Sequence, residues 1–153
     1  MADNKIITKQ IPDFSSNGLL PPGIHVTTWE DFKDKYGINH TRRTQLNGLE
    51  RAIKCFKDAG CTKIYVDGSF VTNKKIPGDF DALYDLDEVN EDAIDERLLD
   101  ASIQGRAIQK KYFEGEFFPA SVKAAPNGTV YLDFFQTDKK TKCQKGIIQI
   151  ELR

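Results

Sequence analysis

The segment that most restricts this chain is Gly78-Asp79-Phe80-Asp81-Ala82-Leu83-Tyr84, which sets two aspartates into a β-prone run. Successive strand side chains alternate between faces, so a strand over 79–84 projects Asp79 and Asp81 from the same face. Two carboxylates held that close cannot both stay ionised cheaply unless a cation neutralises them. Hard oxygen ligands of this kind suit Mg²⁺ or Mn²⁺; Mg²⁺ takes one or two protein carboxylates and fills its other positions with phosphate and water. A bare D-x-D at a strand edge would simply face solvent. The preceding residues change that: Lys63-Ile64-Tyr65-Val66-Asp67 reads as a strand and runs into Gly68-Ser69, with Ser69 ten residues before Asp79. A glycine there lets exposed backbone amides approach a phosphate, and the serine hydroxyl adds a donor.

The rest of the chain is read as one α+β domain over 28–153, with helices packed on a small mixed sheet, preceded by an extended amino-terminal arm over 1–27. The arm carries Pro12, Gly18, Pro21, Pro22 and Gly23, and Ile11, Phe14, Leu19, Leu20 and Ile24 would pack it onto the domain. Thr28 caps a first helix that stops at Gly37. A second helix begins near Asn39 or Thr41 and ends at Gly60, with Leu46, Leu49, Ile53 and Phe56 as its buried stripe. Arg42, Arg43, Arg51, Lys54 and Lys57 then fall mainly on its other, solvated faces. The stretch from Asn90 to about Asp100 is expected as a surface helix, with another around Ile103 to Lys110. Phe117 to Ala124 and Thr129 to Gln136 flank Pro126-Asn127-Gly128 as a hairpin. Gly146 to Leu152 is the last strand.

Charge is informative only in its distribution. The 22 basic and 23 acidic residues give a net charge of -1, which excludes a general pull toward nucleic acid or membrane. From Asp79 to Asp100, however, ten acids face one base, Arg97, while Lys33 to Lys75 carries ten bases against four acids. No run reaches the ~20 apolar residues of a membrane helix. The amino terminus, MADNKIITKQ, lacks a secretory signal, so a cytoplasmic location is expected. Cys55, Cys61 and Cys143 show no metal or redox spacing and are read as free thiols.

Strand, Gly-Ser turn, short connection and D-x-D strand together resemble the signature of the nucleotidyltransferase superfamily related to DNA polymerase beta. That pattern is a Gly-Ser turn, an hDhDh strand about ten residues later, and a third carboxylate on a later strand. Gly78 departs from it only in the first hydrophobic position. Val130-Tyr131-Leu132-Asp133-Phe134-Phe135 offers Asp133 as the third acid, because an aspartate in an apolar strand is costly without a partner; the alternative is an exposed hairpin residue. More of the chain, from about residue 11 to 152, is similar to the family DUF6932. The segments Leu20-Pro21-Pro22-Gly23-Ile24-His25, Tyr36-Gly37-Ile38-Asn39, Ala59-Gly60-Cys61, Gly68-Ser69-Phe70-Val71-Thr72, Phe134-Phe135-Gln136 and Lys145-Gly146-Ile147-Ile148 carry that resemblance.

These resemblances imply a minimal nucleotidyltransferase that moves an NMP from an NTP to a protein, RNA or small-molecule acceptor and releases pyrophosphate. Asp79, Asp81 and Asp133 would hold the metal, and Gly68 and Ser69 would cradle phosphates. Thr72, Lys74 and Lys145 would add phosphate contacts, with Lys75 beside Lys74. A dimer partner, a cognate protein or a bound RNA would complete the acceptor side. His25 and His40 lack a paired nucleophile and are read as structural or exposed; Ser69 sits in no nucleophile elbow. The competing readings are a nucleotide sensor without turnover, and an interaction protein of a toxin–antitoxin or phage-conflict pair that docks a basic partner on the acidic face from Asp85 to Asp100.

Overall fold

The computed structural model describes residues 11–87 and 89–152. Residues 1–10 of the expected arm, Glu88 of the acidic stretch, and Arg153 lie outside the described residues. Five strands form one mixed sheet: β1 (Gly23–Thr28), β2 (Lys63–Asp67), β3 (Phe80–Tyr84), β4 (Gly115–Pro119) and β5 (Gly146–Glu151), in the order β1-β5-β2-β3-β4. β1 runs parallel to β5 and β3 parallel to β4; β2 is antiparallel to both of its neighbours. The α+β architecture with a mixed sheet therefore stands.

The first helix follows the Thr28 cap read from sequence, and the second begins where it was expected, after Asn39. In α1 (Trp29–Tyr36) the Thr28 hydroxyl accepts from the Asp31 amide, and in α2 (His40–Asp58) the Asn39 side chain accepts from the Arg42 amide. A third helix, α3 (Ile103–Phe113), crosses between the parallel strands β3 and β4 and is capped by Ser102. A one-turn helix, α4, covers Tyr131–Phe134.

Strand alternation sorts the core into two layers. Ile64 and Val66 of β2, Phe80, Ala82 and Tyr84 of β3, Phe117 of β4 and Ile148 and Ile150 of β5 pack with Phe32, Leu49, Ala52 and Phe56 of α1 and α2. Phe80 and Phe117 meet edge to face at 5.6 Å, and both are fully buried. A side chain of that size stabilises by about 1.5–3 kcal/mol when removed from water. On the opposite face Tyr65, Leu83, Phe118 and Ile147 form a smaller cluster that Tyr131, Leu132 and Phe135 cover.

Three expectations are corrected. The stretch read as an arm ends in a strand, β1, at one sheet edge; the packing expected of Ile11, Phe14 and Leu20 against the domain is present in the main core. The acidic stretch is not a helix but two 3-10 turns, Glu91–Ala93 and Glu96–Leu99. Asp95 binds the Arg97 amide and Asp100 the Ser102 amide, local bonds that compete with helical ones. Of the expected long hairpin, β4 takes only its first three residues, the single Lys123–Val130 bridge and a turn with Gly128 at φ +91° remain, and the second arm turns into α4.

Candidate active site: an acidic row across three strands

The register of the sheet builds a row of carboxylates. Asp67 of β2 pairs with Asp81 of β3, and Asp81 pairs with Glu116 of β4, on the face that also carries Tyr65, Leu83 and Phe118. Neighbouring strands lie about 4.8 Å apart, so the three acids stand side by side. Asp79, two residues before Asp81, joins them at the entry to β3.

Each of these acids except Asp81 has a protein cation among the described residues. Lys145 Nζ contacts both carboxylate oxygens of Asp67, at 3.0 and 2.9 Å. Lys110 of α3 lies 3.3 Å from Asp79 and 3.9 Å from Glu116, and Arg106 lies 3.7 Å from Glu116. Asp81 is surrounded instead by burial and by the charges of Asp79, Asp67 and Glu116, which together push its carboxyl up to about 7. Burial also raises Asp67, against the pull of Lys145.

The connection after β2 is shaped for this row. Gly68 has φ +86° and ψ −169°, a region open only to glycine, and a Cβ there would lie 2.9 Å from Asp81 Oδ2. Ser69 opens a 3-10 turn, Ser69–Val71, with its hydroxyl 3.5 Å from the Asp79 carbonyl. The Thr72 hydroxyl donates to the Ser69 carbonyl at 2.6 Å and accepts from the Lys74 amide at 3.2 Å.

Side chains of α2 and its cap hold the loop from behind. Arg42, only 2% exposed, donates to the carbonyls of Phe70, Thr72 and Lys74, at 2.7, 3.1 and 2.6 Å. Asn39 donates to the Lys75 carbonyl and Gln45 to that of Pro77. Arg42 was expected on a solvated helix face. Its guanidinium instead sits 4.8 Å from the Phe70 ring, and its two terminal nitrogens donate to backbone carbonyls while Nε is buried without a partner among the described residues.

An open cleft of about 520 Å³ lies over two members of the row, Asp67 and Asp81; Asp79 and Glu116 do not line it. One wall is Asp67, Gly68, Ser69, Thr72 and Asp81; the other is the loop between α4 and β5, which contributes Lys139, Lys140, Thr141 and Lys145. A family model described as a family of unknown function, DUF6932, matches residues 12–151. The chain belongs to that family. The DUF6932 match contains every strand and helix described above, and with them the acidic row and the cleft. No curated protein and no solved structure matches the chain.

Within this DUF6932 chain the residues expected at the site separate into two groups. Gly68, Ser69, Thr72, Asp81 and Lys145 line the cleft, and Asp79 stands beside Asp81. Lys74 is exposed and does not line it; the loop uses its carbonyl, held by Arg42. Asp133 is exposed on α4 rather than buried in a strand, and it does not line the cleft. The apolar neighbours that suggested a strand, Tyr131, Leu132 and Phe135, instead lie along one side of a helical turn and pack on the Phe118 face.

Sequence reasoning passed over Asp67, Glu116, Arg42, Lys139 and Lys140. Asp67 had a signal, since it directly precedes the Gly-Ser turn. Glu116 had none, because its place beside Asp81 depends on how β3 and β4 align. Among the described residues no three or more His, Cys, Asp or Glu side chains form a ready metal cage, and none of the helices is long and apolar enough to cross a membrane.

Proposed function

We propose that this protein is a metal-dependent nucleotidyltransferase of the DNA polymerase beta type, with Glu116 in the place first expected for Asp133. The observation that carries this reading is the acidic row itself. A partly buried Asp81, with no ion-pair partner among the described residues and flanked by Asp67 and Glu116 in register, sits against the glycine of a Gly-Ser turn.

The residues fit a divalent cation that arrives with its nucleotide. Asp79 and Asp81 supply the one or two carboxylates that Mg²⁺ asks of a protein, leaving other positions for phosphate oxygens and water. Lys110 must then release Asp79, and its second partner, Glu116, is already within 3.9 Å. Bound there, Mg²⁺ or Mn²⁺ would supply charge neutralisation on the α-phosphate and the leaving pyrophosphate.

The chain's own residues do the rest by position. The Gly68 amide and the Ser69 hydroxyl hold phosphate oxygens, Glu116 holds Lys110 once it leaves Asp79, and the proton of the acceptor hydroxyl passes to solvent in the open cleft. The acceptor oxygen bonds to the α-phosphorus as the bond from that phosphorus to the bridging β-phosphate oxygen breaks, and pyrophosphate leaves with the electron pair. Catalysis then comes from alignment and electrostatics, with no covalent intermediate on the protein.

The cations already on Asp67, Asp79 and Glu116 favour one competing reading, a nucleotide binder without turnover. Incubation with each α-labelled NTP, Mg²⁺ and cell lysate separates the two. Label on an acceptor, lost in Asp81→Ala and in Glu116→Ala but kept in Asp133→Ala, supports the transferase. Nucleotide binding without label transfer from any NTP overturns it in favour of the binder.

A further inference from the structure

The wall of the cleft that faces the acidic row is a lysine loop for which nucleotidyl transfer as described above has no use. Residues 137–144 form a tight, internally braced turn. Thr137 bridges to Gln144, the Asp138 amide donates to the Cys143 carbonyl at 2.8 Å, and the Lys142 amide donates back to the Asp138 carbonyl at 2.9 Å. The Asp138 carboxylate accepts from both the amide and the hydroxyl of Thr141, each at 2.9 Å, and Lys142 takes the left-handed conformation the turn needs, with φ +62°.

The backbone is thus fixed while its leading side chains stay uncommitted. Neither Lys139 nor Lys140 has an ion-pair partner among the described residues, and both line the cleft. Lys145 differs: two of its donors are committed to Asp67. The charge of Lys139 reaches the row, where it draws the carboxyls of both Asp67 and Asp81 down.

We propose that this loop is a polyphosphate clamp, in which Lys139 and Lys140 bind the β- and γ-phosphates of a nucleoside triphosphate whose α-phosphate lies at Asp79 and Asp81. The assignment rests on the proposed nucleotidyl-transfer site for the position of the α-phosphate. It follows from the two walls taken together. A ligand of this cleft meets the carboxylates of Asp81 and of the Lys145-paired Asp67 on one side and the ammonium groups of Lys139 and Lys140 on the other, and a metal-bound polyphosphate answers both. A nucleic-acid backbone would meet the Asp67 and Asp81 carboxylates across the cleft. The volume, about 520 Å³, is that of a small-ligand site. Because the turn is already braced, ligand binding would order two side chains rather than a loop, which lowers the entropic cost.

The test is calorimetric titration of inorganic tripolyphosphate with Mg²⁺ into the full chain. Lys139→Ala/Lys140→Ala should weaken binding by about tenfold or more, as expected for losing two charge-assisted contacts. Lys54→Ala/Lys57→Ala, which removes the same charge from the exposed face of α2, should leave binding unchanged. Both pairs are exposed, so thermal melting should match wild type.

Equal binding by the Lys139/Lys140 variant, an equal loss in the α2 variant, or no binding by wild type overturns the clamp. NMP transfer by wild type together with unaltered tripolyphosphate binding in the loop variant removes the clamp and keeps the transferase. Tripolyphosphate binding that depends on the loop, without label transfer from any NTP, does the reverse.

Discussion

Gly68 and Asp81 occupy each other's space: the carboxylate Oδ2 of Asp81 lies where it would be 2.9 Å from a Cβ on residue 68. The glycine of the Gly-Ser turn is therefore required by the acid as well as by the turn. Gly68→Ala meets this contact and a backbone region essentially closed to other residues, and should cost about 1–3 kcal/mol. Urea unfolding measures it, and a variant as stable as wild type would show that the turn relaxes freely.

Arg42 predicts a failure of the usual conservative exchange. Its planar fork reaches carbonyls of Phe70, Thr72 and Lys74, which one ammonium cannot do together. Arg42→Lys should lose about 1–3 kcal/mol, chiefly through the buried Phe70 carbonyl left unpaired. Hydrogen exchange should accelerate at the Val71 and Asn73 amides, which bond to Gly68 and Gly18, and not within α2. Unchanged exchange at those two amides would place the strength of the loop elsewhere.

The Asp67–Lys145 pair is a buried charge pair, with the Asp67 side chain 1% exposed and that of Lys145 15%. Removing one partner strands the other. Lys145→Met should cost about 3–5 kcal/mol, and Asp67→Asn/Lys145→Met should recover much of that loss. Chemical denaturation of the two variants side by side checks both figures; a double variant no more stable than the single one contradicts the pairing.

Asp81 makes stability depend on pH in an unusual direction for a carboxylate. Folding raises its carboxyl from 3.8 to about 7, so between those values the folded chain holds a proton that the unfolded chain has released. The contribution is fully present below the lower value and is lost as pH rises through the upper one, with a slope of at most about 1.4 kcal/mol per pH unit. Relative to Asp81→Asn, wild type should therefore lose stability between about pH 4 and pH 7, and no further above it. At the upper end Mg²⁺ should raise the melting temperature of wild type and not that of the variant. A constant difference between the two proteins across the window would mean that Asp81 is ionised in the fold without penalty.

What could be read from the sequence was whatever is decided within a few residues. Thr28 announces a helix because a cap acts on amides three residues away, and Phe80 and Ala82 announce β3 because alternation is local. Asp79, Asp81 and the Gly-Ser turn were legible for the same reason. Glu116 was not, because its role comes from the Asp81–Glu116 register, set by α3 carrying the chain across to β4. Asp133 was misplaced because an apolar, β-prone run serves equally as one helical turn once Phe118 gives it a surface. β1 was missed because its one partner, β5, lies at the far end of the fold in sequence. Arg42 was misread because nothing near it reveals that a loop some thirty residues on will bring carbonyls to it.

The placement of β5 has a consequence for how the protein is made. It is the last strand of the fold, yet it lies between β1 and β2, so during synthesis β1 has no partner and β2 keeps an open edge until that strand emerges. Lys145, which neutralises Asp67, arrives with it. A nascent chain therefore carries the acidic row without this counter-charge, and the cleft acquires its working balance of charge only after the sheet has closed around its final strand.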